Sequence, residues 1–168
     1  MEFFASWVFR CRVWVHLKMN YPDLEIVSRA VKRGFEAEKR IEELLKVIGV
    51  DYRKQPRGKI VLDEFSITGR ADFLTENCVI EVKNSTKNFP KEWIAQLNLY
   101  MKMFGVGRGI LVRFVGESAV MRAFEFDRRL YDESLEYFEW FLENRPSPPE
   151  SCSKRWCSYK HLCVGRKR

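Results

Sequence analysis

The sequence has no hydrophobic run that approaches the roughly 20 residues that a membrane-spanning helix requires. Its apolar N-terminal stretch is interrupted by Arg10, Arg12, His16 and Lys18, and no small-residue cleavage site follows, which argues against a secretory signal. No segment repeats along the chain. We therefore predict a protein without membrane spans that resides in the cytoplasm.

Length and composition favour one globular domain. A chain of 168 residues, 46% of them hydrophobic, is long enough to form a core of its own. The net charge of +7 predicts a polyanionic partner but does not say which one. Five cysteines in an intracellular chain are more typical of metal ligands than of a disulfide framework.

The stretch that carries the most chemistry, residues 69–83, has the pattern of a β-hairpin. Its second half alternates apolar with charged residues, and Glu76 and Asn77 provide a two-residue turn. This turn predicts a register in which Phe73 lies opposite Ile80, so that one face of the hairpin is apolar.

The same register places two carboxylates side by side on the other face. Asp72 lies directly across from Glu81, and Lys83 follows two residues later on the same face. Like charges in this position are unfavourable, and a divalent cation between them removes the penalty. Lys83 then stands where it could orient a water or stabilise a phosphoryl oxygen. The simpler interpretation is a hairpin whose polar face is solvated.

Periodic segments on either side of the hairpin predict three long helices and two further pairs of strands. Asp23 and Gly49 are the expected cap and stop of the first helix. The helices are predicted over about 24–48, 90–105 and 129–143, and the strands over 59–62, 65–68, 109–115 and 119–126.

Three polar side chains on these helices are candidate functional groups. Gln96 and Tyr100 are spaced i, i+4 and share a helix face, where they could hold a phosphate, a base or a water. Glu38 lies one helical turn after Gly34. For each of them a purely structural role, or simple solvation, is the alternative.

The C-terminal tail, residues 151–168, is basic and contains Cys152, Cys157 and Cys163 in a C-x4-C-x5-C pattern. A segment this short cannot form a core, so three nearby thiolates favour a metal or cluster that fixes it. The alternative is a disordered basic tail with free cysteines.

Three thiolates need a fourth ligand. His161 would complete a zinc site, because zinc accepts three cysteines and a histidine. Cys11 would give an all-thiolate set suited to an iron–sulfur cluster and would tie the two chain ends together. Cys78 is the weaker candidate because it belongs to the hairpin.

The three patterns Gly69-x-x-Asp72, Glu81-Val82-Lys83 and Gln96-x-x-x-Tyr100 together resemble the RecB-like branch of the PD-(D/E)XK nuclease superfamily. With one early cysteine and three late ones, the chain is similar to the CRISPR-associated RecB-like exonucleases that carry an iron–sulfur cluster, the fourth-numbered Cas protein family. The resemblance extends over nearly the whole chain.

The resemblance implies an α/β fold in which a mixed central sheet is flanked by helices. It implies a single nuclease domain over 1–168, with segments 1–22 and 145–168 forming the cluster module.

The resemblance also assigns roles within the site. Asp72 and Glu81 would bind Mg²⁺ or Mn²⁺ near the Val82 carbonyl, and Lys83 would assist the attacking water. Gln96 and Tyr100 would position DNA or catalytic groups. The cluster, [4Fe–4S] rather than [2Fe–2S], would be held by Cys11, Cys152, Cys157 and Cys163.

One position departs from the family pattern. Glu38 stands where the family usually has a histidine metal ligand, and a glutamate can also bind a hard cation. The implied activity is hydrolysis of DNA from single-stranded ends during CRISPR spacer acquisition, in contact with an integrase complex. The alternative is a non-catalytic module of that complex which binds DNA ends or docks a partner.

Overall fold

The computed structural model of the chain describes residues 1–26, 31–147 and 157–164. Within these ranges the chain forms eight strands and five α-helices. The strands are β1 (Glu2–Phe4), β2 (Arg53–Lys54), β3 (Arg57–Val61), β4 (Ser66–Arg70), β5 (Phe73–Leu74), β6 (Cys78–Asn84), β7 (Arg108–Val115) and β8 (Ser118–Glu125). The helices are α1 (Arg12–Asn20), α2 (Val31–Val47), α3 (Lys91–Phe104), α4 (Arg128–Glu143) and α5 (Lys160–Val164). None of the described helices is long and apolar enough to span a bilayer.

The strands form two sheets, and both mix parallel with antiparallel pairs. The larger sheet has the order β2-β5-β6-β7-β8, with β6 and β7 parallel. The smaller sheet has the order β1-β4-β3, with β1 and β4 parallel. The predicted mixed α/β fold is therefore confirmed, although its strands divide into two sheets.

One long antiparallel pairing connects the two sheets. β3 pairs with β4 and β2 pairs with β5 in the same register. Between these pairs, Gln55 N donates to Asp72 O at 2.9 Å and Ala71 N donates to Pro56 O at 3.2 Å. Gln55 has a φ of 50°, in the left-handed region, where the chain passes from one sheet to the other. Asp72 thus lies at the crossing point.

Helices cover both faces of the larger sheet. α3 lies on one face and also contacts the smaller sheet and α4, with Leu97 and Leu99 fully buried. α2 covers the other face through an apolar cluster of Ala37, Ile41, Leu45, Phe73, Ile80, Val82, Val112 and Phe114. α2 and α3 therefore lie on opposite faces of β6, and the polar groups of α3 face the side that α2 does not cover.

Several predicted boundaries are confirmed. Pro90 precedes α3, and Gly105 ends it with a φ of 68°. The turn between β7 and β8 contains Gly116, with a φ of 62°. Asp127 caps α4, because its side chain accepts a hydrogen bond from Leu130 N at 3.1 Å.

The helix predicted over about 24–48 is wrong at its start. Asp23 is not its cap but lies in a short 3₁₀ helix, Pro22–Leu24, whose first residue is the proline that favours such a turn. The described part of α2 begins at Val31, and residues 27–30 of the prediction lie outside the described residues. Gly49, with a φ of 69°, ends the helix region as expected.

The predicted hairpin is correct in register but not in continuity. Phe73 pairs with Ile80, and Thr75 N donates to Cys78 O at 2.9 Å across the two-residue turn. The first strand, however, is interrupted at 71–72, and residues 69–70 belong to β4 of the smaller sheet. β3 begins two residues before its predicted start, and β4 ends two residues after its predicted end. Residues 69–70, which the hairpin prediction includes, therefore pair within the smaller sheet instead.

The two described ends of the chain lie together. Trp14 Nε1 in α1 donates to Ser158 Oγ at 3.0 Å, and Ile26 N donates to Ser158 O at 3.1 Å. The fully buried Tyr159 donates from its hydroxyl to Tyr21 O at 3.2 Å. The aromatic N-terminal segment forms β1, a 3₁₀ turn and α1, elements that the sequence pattern does not specify.

Candidate active site

The candidate site lies where the crossing point between the sheets meets β6 and α3. β6 contributes Glu81 and Lys83, which alternate with the residues packed on α2. The crossing point contributes Asp72, and α3 contributes Gln96 and Tyr100 from successive turns. The structure therefore brings together all five residues predicted to be catalytic.

Glu81 is a buried carboxylate with one oxygen satisfied and one not. Its Oε1 accepts hydrogen bonds from Lys83 Nζ at 2.6 Å and from Gln96 Nε2 at 2.9 Å. Its Oε2 is buried and has no hydrogen-bond partner within the described residues. A buried anionic oxygen without a partner is costly, so this oxygen fits a site for a cation.

Asp72 faces the same locus. Its Oδ2 accepts a hydrogen bond from Val82 N at 2.6 Å, which fixes the carboxylate beside the backbone of β6. Burial, and after it the charge of Glu81, raises the pKa of Asp72 to about 8. The two carboxylates repel each other as the hairpin register predicted, and a divalent cation would relieve that repulsion.

Lys83 is held in one position by two acceptors. Its Nζ donates to Glu81 Oε1 at 2.6 Å and to Gln96 Oε1 at 3.1 Å. An ammonium fixed in this way beside two carboxylates can stabilise a developing negative charge without reorganising first.

Gln96 links β6 to Tyr100. Besides contacting Glu81, its Nε2 donates to the Tyr100 hydroxyl at 2.9 Å. Burial raises the pKa of Tyr100 above its ordinary value, so the phenol stays protonated. A Cβ added at Gly69 would lie 2.4 Å from Tyr100 Cε1, which explains why the motif needs a glycine at this position.

Glu38 approaches the site from α2, and the residue that holds it was not identified from the sequence. Gln55 Nε2 donates to Glu38 Oε2 at 3.1 Å. Because Gln55 lies directly across from Asp72 in the long pairing, this contact connects α2 to the crossing point. The charge of Glu38 is one of the smaller contributions that raise the pKa of Asp72.

The donors of the site are carboxylate oxygens and backbone, which suit Mg²⁺ or Mn²⁺. Within the ranges that the structure describes, no group of three or more His, Cys, Asp or Glu side chains is placed to hold a metal ion. Two observations therefore support a divalent cation here. Glu81 Oε2 has no hydrogen-bond partner within the described residues, and the carboxylates of Glu81 and Asp72 repel each other.

Three of the four cysteines predicted to bind a cluster, Cys11, Cys157 and Cys163, belong to the described segments near the two ends of the chain. Cys11 precedes the first turn of α1, and Cys157 precedes the Ser158 that Trp14 binds. Cys163 belongs to α5, while Cys152 lies outside the described residues. Cys78 stands apart from them at the start of β6, where its thiol donates to Val79 O at 3.4 Å.

The sequence was compared with models of known protein families and with curated proteins. The sequence model of the PD-(D/E)XK nuclease superfamily matches residues 35–123, more than half of the chain, including the residues of the candidate site. No curated protein sequence matches the chain.

Solved structures share the fold. The protein SSO0001 superposes with a TM-score of 0.77 at 20% identity, covering 97% of this chain and 86% of its own. An alkaline exonuclease from Laribacter hongkongensis superposes with a TM-score of 0.64 at 17% identity, covering 84% of this chain and 86% of its own. The same exonuclease in complex with dAMP gives a TM-score of 0.61 at 21% identity, covering 83% of this chain and 85% of its own.

Proposed function

Since the chain belongs to the PD-(D/E)XK nuclease superfamily, we propose that it is a metal-dependent DNA exonuclease that hydrolyses phosphodiester bonds from single-stranded ends. The observation that carries this proposal is the buried Glu81 Oε2, which lacks a partner within the described residues and belongs to a carboxylate whose charge raises the pKa of Asp72. The exonuclease among the solved structures supports the same reaction class by its fold.

Asp72 and Glu81 would hold the divalent cation, with the Val82 backbone beside them and Glu38 approaching from α2. When bound, the cation neutralises phosphate charge and activates water for attack. Lys83 donates to a non-bridging phosphate oxygen or orients the water, because its ammonium is already fixed beside Glu81. Gln96 keeps Lys83 in place, and Tyr100 keeps Gln96 in place.

We further propose a role in CRISPR spacer acquisition, in which the enzyme trims DNA before integration in the cytoplasm. This rests on the resemblance of the motifs together with the four cysteines, and it makes the integrase complex the expected partner. The net charge of +7 supports a DNA substrate, with an affinity that decreases as salt increases.

The nuclease proposal is tested by incubating the purified protein with end-labelled single-stranded DNA in Mn²⁺, in Mg²⁺ and in a chelator. We expect nucleotides to be released in the presence of either metal and none in the chelator. Retention of DNA in a mobility-shift assay, without cleavage under any divalent cation, would instead establish the non-catalytic module, the role that the Glu38 departure from the family histidine favours.

We also propose that Cys11, Cys152, Cys157 and Cys163 bind an iron–sulfur cluster. The docking of Ser158 and Tyr159 on the segment after Cys11 supports it, because this contact holds the two ends of the chain at the same place. Four thiolates of this kind suit [4Fe–4S] better than a hard cation.

The visible spectrum of anaerobically purified protein tests the cluster. We expect a brown protein with broad absorption, which Cys157→Ser reduces strongly and Cys78→Ser leaves unchanged. A colourless protein that contains one zinc, and loses it in His161→Ala, would overturn the assignment of Cys11.

A further inference from the structure

The outer face of the small sheet is open to solvent and basic. Its inner face is marked by Gly58 and Gly69, where an added Cβ would meet Met103 at 3.0 Å and Tyr100 at 2.4 Å. Side chains alternate between the faces of a strand, so the residues next to these glycines point outward. Outward and exposed are Arg57, Lys59, Arg70 and, on β1, Phe4.

Two of these cationic side chains lie opposite each other and have no carboxylate partner within the described residues. Arg57 and Arg70 are direct cross-strand partners. Like charges in this position are unfavourable, and no salt bridge in the part of the chain that the structure describes joins either guanidinium to a carboxylate. Lys59, on the same face, is paired, because its Nζ lies 2.9 Å from Glu2 Oε1. The arginine pair is therefore placed to take an anion between its members.

This pair adjoins the candidate active site. In the long antiparallel pairing, the pair Arg57–Arg70 lies two positions along the strands from the pair Gln55–Asp72. With a rise of about 3.3 Å per residue, this is a separation of roughly 7 Å along the strands. A phosphate bound by the arginines and a phosphate at Asp72 can thus belong to one short stretch of the same DNA strand.

An aromatic ring continues the face away from the site. Phe4 pairs with Thr68, which precedes Arg70 by two residues. The Phe4 side chain is 46% exposed, and its ring centroid lies 4.8 Å from that of Trp7. An exposed aromatic ring beside two neighbouring cations is a combination that binds single-stranded nucleic acids, because bases stack on the aromatic face while the cations contact the phosphate backbone.

We propose that this outer face is the track along which single-stranded DNA reaches the active site. Arg57 and Arg70 bind a backbone phosphate next to the one that is cleaved, and Phe4 stacks on an unpaired base further along. The proposal rests on the proposed nuclease function and names the part of the surface that recognises its substrate. An exposed aromatic ring next to the arginines favours a nucleic acid over an acidic protein.

The test is the salt dependence of binding to a dye-labelled oligothymidine, measured by fluorescence anisotropy in a chelator so that no cleavage occurs. Arg57→Ala combined with Arg70→Ala should lower the magnitude of the slope of log K against log salt by about 0.7, since the pair binds one phosphate and each phosphate contact of a single strand contributes about 0.7. Phe4→Ala should weaken binding by about fivefold or more and leave the slope unchanged.

The matched control is Arg128→Ala combined with Arg129→Ala. It removes the same charge from the first turn of α4. This helix packs on the inner face of the small sheet through the stacking of Phe138 on Phe3, so it lies on the side away from the proposed track. We expect the slope of the control to equal that of the wild type. Equal reductions in both double variants, or no reduction in either, would overturn the track. Arg57→Lys with Arg70→Lys keeps the charge, and a retained slope there excludes misfolding as the cause.

The outcome is separable from that of the nuclease proposal. If the wild type cleaves DNA in Mn²⁺ while the arginine variant binds with an unchanged slope, the track is wrong and the nuclease assignment stands. If no metal supports cleavage but the slope falls as expected, the nuclease assignment is wrong and the face is still a binding site for single-stranded DNA.

Discussion

Asp72→Asn is expected to lower the nuclease activity by about 10³-fold or more. The substitution preserves the shape of the side chain, and an amide oxygen can still accept the hydrogen bond from Val82 N. It removes one of the two anionic groups that would hold the cation, whose contribution to the transition state is several kcal/mol, and each ~1.4 kcal/mol corresponds to a factor of ten. Single-turnover release of nucleotides from end-labelled DNA measures the loss.

The same substitution is expected to stabilise the metal-free protein. Because the pKa of Asp72 is raised to about 8, the metal-free folded state takes up a proton at neutral pH that the unfolded chain does not bind, and this proton uptake destabilises the folded state. Removing the charge should increase the free energy of unfolding by on the order of 1 kcal/mol, measured by urea denaturation in a chelator.

Asp63→Asn is the control, because Asp63 is exposed in the turn between β3 and β4. It should leave both activity and stability near their wild-type values. If Asp72→Asn were both inactive and clearly less stable than the wild type, the carboxylate would be a structural group and its assignment to a metal site would lose its support.

Phe3→Ala is expected to have the largest effect on stability, a loss of about 3–5 kcal/mol in the free energy of unfolding. Phe3 is fully buried on the inner side of β1, and its ring stacks on Phe138 at a centroid distance of 4.9 Å. Phe65 and Phe141 contact the same ring at 5.7 and 5.8 Å. Truncation leaves a cavity between the small sheet and α4 that these rigid rings cannot readily fill.

Phe4→Ala tests this explanation with the neighbouring residue. Phe4 has the same side chain, but it lies on the outer face and is 46% exposed. Its truncation should cost well under half of the Phe3 value, because less apolar surface leaves the core. Similar losses for the two variants in urea denaturation would contradict the assignment of inner and outer faces.

The core of the site was accessible from the sequence because it depends on local geometry. A two-residue turn fixes the pairing of Phe73 with Ile80, and that pairing fixes which residues share a face. The spacing of Gln96 and Tyr100 likewise places them on one side of a helix, where the structure joins them by a hydrogen bond.

Features that depend on the tertiary path of the chain were not accessible in this way. Gln55 reaches Glu38 because the chain folds back after α2 and then passes between the sheets with a left-handed φ at Gln55, a path that no periodic pattern specifies. β1 joins β4 in parallel, a pairing across more than sixty residues that a three-residue strand cannot signal by pattern. The break at Asp72 arises because its side chain, rather than the backbone, binds Val82 N.

The most direct test of this account is a titration of Mn²⁺ into the protein, followed by the electron paramagnetic resonance signal of the free ion. We predict that the wild type binds Mn²⁺ at the site and that Glu81→Ala does not. Gln55→Asn, whose shorter amide no longer reaches Glu38, should bind it about 10- to 100-fold more weakly. If Glu81→Ala bound Mn²⁺ with the affinity and stoichiometry of the wild type, then Asp72 and Glu81 would not share a metal ion, and the proposed chemistry of the site would be wrong.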